Sequence, residues 1–161
     1  MGPLLKRGGP AMFLQVTALF VLGLMCGSEL NVAAFARPTF ERMPREPHIL
    51  ARALLAQLLG RVMPFWMAGS TLLSLILLLP FAHLNSSARS YATIALAIQI
   101  LAVVFSLIGP VPINNRIAKW TPPTLPDDWQ TQERRWNVYH WIRTFGLCVA
   151  FVLLAVSLRA T

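Results

Sequence analysis

Charge is scarce in this chain. Only 12% of the residues are charged, and six acidic residues face fourteen Lys and Arg. A soluble domain of this size carries about twice that charged fraction. Cysteine is nearly absent too. Cys26 and Cys148 are the two present, both inside apolar stretches, with no CxxC or zinc-type spacing. A free Cys in such a setting packs as a small hydrophobe. The sequence has no P-loop, no GxGxxG, no HExxH, no recognisable Ser–His–Asp motif and no internal repeat. An aromatic–basic platform for single-stranded nucleic acid is also missing. The net charge of +8 is therefore read as juxtamembrane charge, with no nucleic-acid partner.

What fills the chain is apolar. Hydrophobic residues make up 56% of the 161 positions, and the mean hydropathy is +0.59. They arrive in four blocks, at about 11–36, 63–84, 91–113 and 138–158. Each suits a helix crossing a bilayer, which takes about 20 residues. The expected fold is all-α: one integral membrane domain, 1–161, built as a four-helix bundle. Lys6 and Arg7 precede the first block, but Met25 is too large for a cleavage site ahead of Cys26, so that block is read as an uncleaved span. Gly23 and Gly27 form a GxxxG, which permits close approach to a neighbouring helix.

The links are unequal. NSSAR, 85–89, makes the second and third helices antiparallel neighbours. The links near 37–62 and 114–137 are long, and an even number of crossings puts both on one side. The first holds PHILARALLAQLLGR, with His48 and Arg52 four apart, and reads as a short interfacial helix between helices one and two. In the second, Pro122, Pro123 and Pro126 exclude helix before Asp127. Asp127 with Gln130 resembles a capping box, so the last helix is expected to start near Trp129. The long-link side carries Arg37, Arg42, Arg45, Arg52, Arg61, Arg116, Lys119, Arg134 and Arg135, against Lys6, Arg7, Arg89 and Arg159 opposite. The positive-inside rule then puts the long links in the cytoplasm of a multi-pass protein, with the bacterial inner membrane as the expected location.

The unusual polar residues gather at this same end. Glu29 and Asn31 close the first block. His48 lies in the first long link, and Arg61, Met63 and Trp66 lead into the second block. VPINNRIAKW, 111–120, ends the third, where Pro110 and Pro112 are expected to bend or stop the helix beside Asn114 and Asn115. Trp136, His140 and Arg143 follow at i, i+4 and i+7 on one stripe. A charge in a membrane helix costs about 2.5 kcal/mol or more, so Glu29 and Arg143 are expected to face the bundle interior or a watery pocket. Each residue also has a structural reading. Glu29 and Arg143 form a helix lock, and Trp66, Trp120, Trp129, Trp136 and Trp141 form an aromatic belt. Glu29, His48 and His140 are also the right types for a 2-His-1-carboxylate site holding a single Fe or Cu ion.

Four stretches carry a family resemblance: GSELNVAAFARPTF (27–40), LGRVMPFW (59–66), VPINNRIAKW (111–120) and DWQTQERRWNVYHWIRT (128–144). The chain resembles the anthrone oxygenase-like integral membrane proteins, a bacterial and fungal family formerly described as a domain of unknown function. The resemblance implies a small four-helix membrane protein, and some fungal relatives oxidise a tricyclic anthrone to an anthraquinone with O₂. Such a reaction needs a base, an oxyanion partner and a dry aromatic slot, with O₂ as co-substrate and no required cofactor. His140 is the preferred base, with His48 and Glu29 as alternatives. Arg143, or the amides of Asn114 and Asn115, would meet the enolate oxygen, where one donor is typically worth about 3–4 kcal/mol. Met63, Trp66 and Trp136 would line the slot, and Asn31 and Arg61 stand at the same end. The partners implied are a hydrophobic small molecule, the lipid bilayer and, optionally, a second copy of the chain. Two other classes stay open: a small lipophile carrier that uses Glu29, and a structural subunit of a membrane complex.

Overall fold

The computed structural model describes residues 10–80 and 84–159. Lys6 and Arg7 lie outside them. Among the described residues there is no strand. Within these residues six α-helices follow one another: α1 Pro10–Asn31, α2 Arg37–Glu41, α3 Arg45–Ile76, α4 Ser86–Ile108, α5 Pro110–Ile117 and α6 Trp129–Arg159. A helical membrane bundle results. Four stretches are long and apolar enough to cross a membrane: Met12–Glu41, Arg45–Ile76, Ser86–Ile108 and Trp129–Arg159.

The first span does not stop at Ala36 as expected. A π-helical turn, Val32–Ala36, carries α1 into α2. The cause is local. Pro38 has no N–H for the carbonyl four residues back, and the turn before it widens, so the Arg37 amide reaches Val32 O instead. An Arg37–Glu41 pair at 2.8 Å closes α2.

The expected interfacial helix is not a separate element. PHILARALLAQLLGR is the first half of the 32-residue α3. Nothing between Pro47 and Pro64 breaks a helix except Gly60, whose cost of about 1 kcal/mol does not decide the matter. At 1.5 Å per residue α3 is about 48 Å long, well beyond a hydrocarbon layer of about 30 Å. Its first turns therefore stand beyond that layer as a direct extension of the span. The helix ends at Ile76 rather than near Leu84, and Arg89 Nη1 donates to the Leu78 carbonyl at 2.7 Å just past that end.

The start of α4 is capped by Asn85, whose side chain accepts from the Ala88 amide at 2.9 Å. The helix stops at Gly109, where a Cβ would lie 3.1 Å from the Phe105 carbonyl and 3.4 Å from Tyr139. Pro110 then opens α5, so VPINNRIAKW is mostly a new short helix set on a break, as the prolines predict. The last helix starts at Trp129, where it was expected. The expected capping box is not formed, however. Gln132 bonds the Asp128 carboxylate at 2.8 Å, and the Trp129 amide takes Pro126 O at 3.1 Å.

Two cores result. One is made of small and flexible residues, among them Ala18, Leu22, Met25, Ala92, Ala95 and Ala150. Cys26 lies in it and Cys148 packs against it, both as free thiols. Here α1 meets α6 closely: a Cβ on Gly23 would come within 2.8 Å of Phe151, whereas one on Gly27 would meet nothing within 4 Å. The second core, at the long-link end, is built from Val32, Ile49, Ala56, Ile117, Trp120 and Trp136. Its two tryptophans correct the belt reading. Trp120 and Trp136 are buried and Trp66 and Trp129 partly so, while Trp141 is exposed.

Candidate functional site

On α6 the buried positions Glu133, Trp136, His140, Arg143, Leu147, Ala150, Leu154 and Ser157 repeat at alternating steps of three and four. That spacing makes one inward stripe. Its lower part is apolar, and its upper part supplies the polar groups of the site.

The inner cluster joins α1 to α6. Arg143 Nη2 donates to both carboxylate oxygens of Glu29, at 2.8 and 2.7 Å, and Nε adds a bond of 3.2 Å to Oε2. Glu29 is 2% exposed and Arg143 6%. A paired, hydrogen-bonded geometry of this kind is what a buried charge requires. Thr144 Oγ1 lies 3.4 Å from Oε2 and donates to the His140 carbonyl at 2.8 Å. His140 Nε2 sits 3.0 Å from the Glu29 carbonyl, which only accepts, so Nε2 carries the proton. Its Nδ1 is 3.2 Å from Glu29 Oε2 and 3.3 Å from Arg143 Nη2. The helix lock expected for Glu29 and Arg143 is therefore present, with His140 built into it.

The outer cluster joins α3 to α6. His48 Nε2 is 3.1 Å from Glu133 Oε1, and Arg52 Nε is 3.4 Å from the same oxygen. The Arg52 guanidinium lies over Trp136, 4.0 Å from the ring centroid. Trp136 in turn stacks on His140, with centroids 4.6 Å apart and planes 12° apart. A layered contact of Arg52, Trp136 and His140 thus links the two clusters. Arg52 is 2% exposed, yet Nη1 and Nη2 have no hydrogen-bond partner.

Beside the inner cluster is a cavity of about 230 Å³, walled by α3, α4, α5 and α6. Met63, Met67, Val103 and Trp136 make it apolar, and Arg143, Ser106, Asn114 and Asn115 give it a polar corner. Pro64, Ala68, Leu107 and Asn115 line it and are exposed on the outside of the bundle. The cavity therefore opens sideways, toward lipid, between α3 and the α4–α5 pair. Pro64 has no amide proton, so the carbonyl of Gly60, another wall residue, loses its usual helical donor. Asn114 Nδ2 donates to Ala56 O at 2.8 Å, while its Oδ1 is buried without a partner.

Of the residues expected at the site, Met63, Trp136, Asn114, Asn115 and Arg143 meet in this cavity. Glu29 and His140 stand behind Arg143 and do not line it. His48 belongs to the outer cluster. Trp66 turns to α1, donating to Val21 O at 3.2 Å. Asn31 and Arg61 are exposed and do not line the cavity. The trio Glu29, His48 and His140 does not converge: each histidine has its own carboxylate, and among the described residues no three His, Cys, Asp or Glu side chains are grouped to hold a metal ion. Sequence reasoning missed Glu133, Thr144 and Ser106, and placed Arg52 on an interfacial helix. Glu133 falls on the same stripe as Trp136, His140 and Arg143, one step earlier, so its signal was there.

The comparisons agree with the resemblance. Neither the curated proteins nor the solved structures give a match to the chain. The family model described as anthrone oxygenase matches residues 53–153, from the middle of α3 to near the end of α6. That stretch is more than half of the chain and holds every residue of the cavity wall. Glu29, His48 and Arg52 lie outside it. By this match the chain belongs to the anthrone oxygenase family.

Proposed function

We propose that the protein oxidises a flat, hydrophobic polycyclic aromatic of the anthrone type with O₂, in the lateral cavity beside Arg143. One observation carries this reading. Arg143 is held by Glu29 through Nη2 and Nε, while Nη1 has only a 3.4 Å contact with Ser106 Oγ, and both residues line the cavity. A cationic donor in an otherwise apolar slot is suited to a developing enolate oxygen.

The chemistry needs little else. An anthrone has a CH₂ between two aryl rings, conjugated to a carbonyl. Charge growing on the substrate oxygen draws Arg143 away from Glu29. His140 Nδ1 then accepts the CH₂ proton, and the freed Glu29 carboxylate, 3.2 Å away, stabilises the imidazolium. His140 thus keeps the role expected of it, but from behind Arg143 rather than from the cavity wall. The enolate passes one electron to O₂, and the two radicals join at carbon. The proton returns to give a hydroperoxide, which loses water. Overall, CH₂ and O₂ become C=O and H₂O. O₂ is the co-substrate, and no step uses a resident metal. Asn114 commits one amide hydrogen to the Ala56 carbonyl, so donation to the enolate is assigned first to Arg143 and Asn115. The sideways opening suits a substrate arriving from the bilayer. The excess of Lys and Arg supports cytoplasmic long links in a cell membrane.

The carrier alternative needs a free Glu29, and the bidentate pair with Arg143 removes its main support. The test is O₂ uptake and quinone absorbance by the purified protein in liposomes supplied with an anthrone. Uptake matched one to one by quinone supports the reading. No uptake above protein-free liposomes rejects it.

A further inference from the structure

Three cationic side chains are not used by either cluster. Arg61 on α3, Arg116 on α5 and Lys119 just after α5 are exposed, and none has a side-chain hydrogen bond or ion pair among the described residues. Their position follows from how α3 meets α5. Gln57 Nε2 donates to Ala118 O at 2.9 Å, and Asn114 Nδ2 to Ala56 O at 2.8 Å. From Gln57 the same face of α3 runs through Arg61 to Pro64. On α5, Asn115 and Val111 lie one turn apart on one side of the helix. Pro64, Asn115 and Val111 line the cavity. Arg61 therefore stands on one lip of its sideways opening. Arg116, next to Asn115 in the chain, and Lys119, just past the end of α5, are exposed on the α5 side of the same opening.

The groove continues from this lip in an apolar direction. On α3 the wall runs from Gly60 to Ala68, about 12 Å at 1.5 Å per residue, past Met63, Pro64 and Met67. A cationic lip above a greasy slot that opens to lipid matches one chemical shape: a phosphate head with an acyl tail. A zwitterionic head brings its own cation to the lip, so an anionic head is favoured.

We propose that the lateral mouth seats one anionic phospholipid, its phosphate against Arg61, Arg116 and Lys119 and one acyl chain in the groove along Met63 to Ala68. The acyl chain shares Met63 and Met67 with the oxidation cavity and would compete there with an anthrone, but the seat itself does not depend on the oxygenase reading.

The test uses the full protein in neutral detergent, with phosphatidylglycerol and phosphatidylcholine of identical chains. Native mass spectrometry counts the lipid retained, and a thermal shift records its effect. Phosphatidylglycerol should be retained about tenfold better and should raise the melting temperature more. The triple variant Arg61→Gln, Arg116→Gln, Lys119→Gln changes only exposed positions, and it should lose that preference. Phosphatidylglycerol with a brominated chain should quench Trp136, by comparison with Trp136→Phe. Equal retention of the two lipids, or an unchanged preference in the triple variant, overturns the proposal. So does a shift of the same size with inorganic phosphate alone, which would indicate a free-anion site. No substrate is needed, so failure here and failure of the oxidation assay are separate results.

Discussion

The two buried ion clusters differ in how completely they are paired. In the inner one, Glu29 receives three bonds from Arg143 and is also in contact with His140 and Thr144. In the outer one, Arg52 gives one long contact to Glu133 and leaves both terminal nitrogens unbonded. Along α6, Arg143 lies ten residues, about 15 Å, deeper than Glu133. Depth explains part of the contrast, since an unpaired charge costs more towards the middle of the hydrocarbon. Role explains the rest. The inner cluster fixes a guanidinium at the wall of a cavity, whereas the outer one lays a guanidinium flat on Trp136 and steadies that wall from behind.

The most severe break is Arg143→Gln. It should lower anthrone oxidation about 10²–10³-fold and, by taking the guanidinium from the buried Glu29 carboxylate, cost about 3–5 kcal/mol of stability. O₂ uptake and thermal unfolding in detergent report the two effects. Pairing Glu29→Gln with Arg143→Met should separate them, with stability returning to within about 1–2 kcal/mol of the parent while oxidation stays lost. At the outer cluster, the neutral pair Arg52→Met and Glu133→Gln should be neutral or stabilising by about 1–4 kcal/mol, with oxidation kept within a few-fold. A loss there as large as at the inner cluster would remove the distinction between them. Asn114→Ala leaves the Ala56 carbonyl without its side-chain donor and should cost about 1 kcal/mol, with weaker anthrone binding by fluorescence titration. The smallest contrast is between the two glycines of α1. Gly23→Ala should destabilise by about 1 kcal/mol, because its Cβ lands 2.8 Å from Phe151. Gly27→Ala should be neutral or gain a few tenths to about 1 kcal/mol from helix propensity alone.

Much of this was legible in the residues. The four spans, the break at Pro110, the start of α6 at Trp129 and the Glu29–Arg143 contact follow from hydropathy, proline chemistry and the cost of a lone charge in lipid. The continuous α3 did not, because polar residues between 45 and 61 read as interface when they are the helix's own loop-side extension. The burial of Trp120 was hidden as well, although Trp136 shares the inward stripe of His140 and Arg143. Tryptophan near a membrane end suits a belt and a core equally, and only the packing of α3 and α5 against α6 decides. Arg52 shows the same limit: its spacing from His48 was visible, but its seat on Trp136 depends on a register between distant helices. The cavity itself has no local signature. It is assembled from residues of α3, α4, α5 and α6 that are far apart in the chain, beside Pro64 and the Gly109–Pro110 break.

The proposed role of Arg143 as an oxyanion partner can be watched without turnover. Under anaerobic conditions an anthrone bound to the protein should lose its CH₂ proton and stop, giving a red-shifted enolate absorbance that appears with the parent and not with Arg143→Gln. An anthrone that binds the parent without enolate absorbance, or enolate of equal strength in Arg143→Gln, would contradict the account.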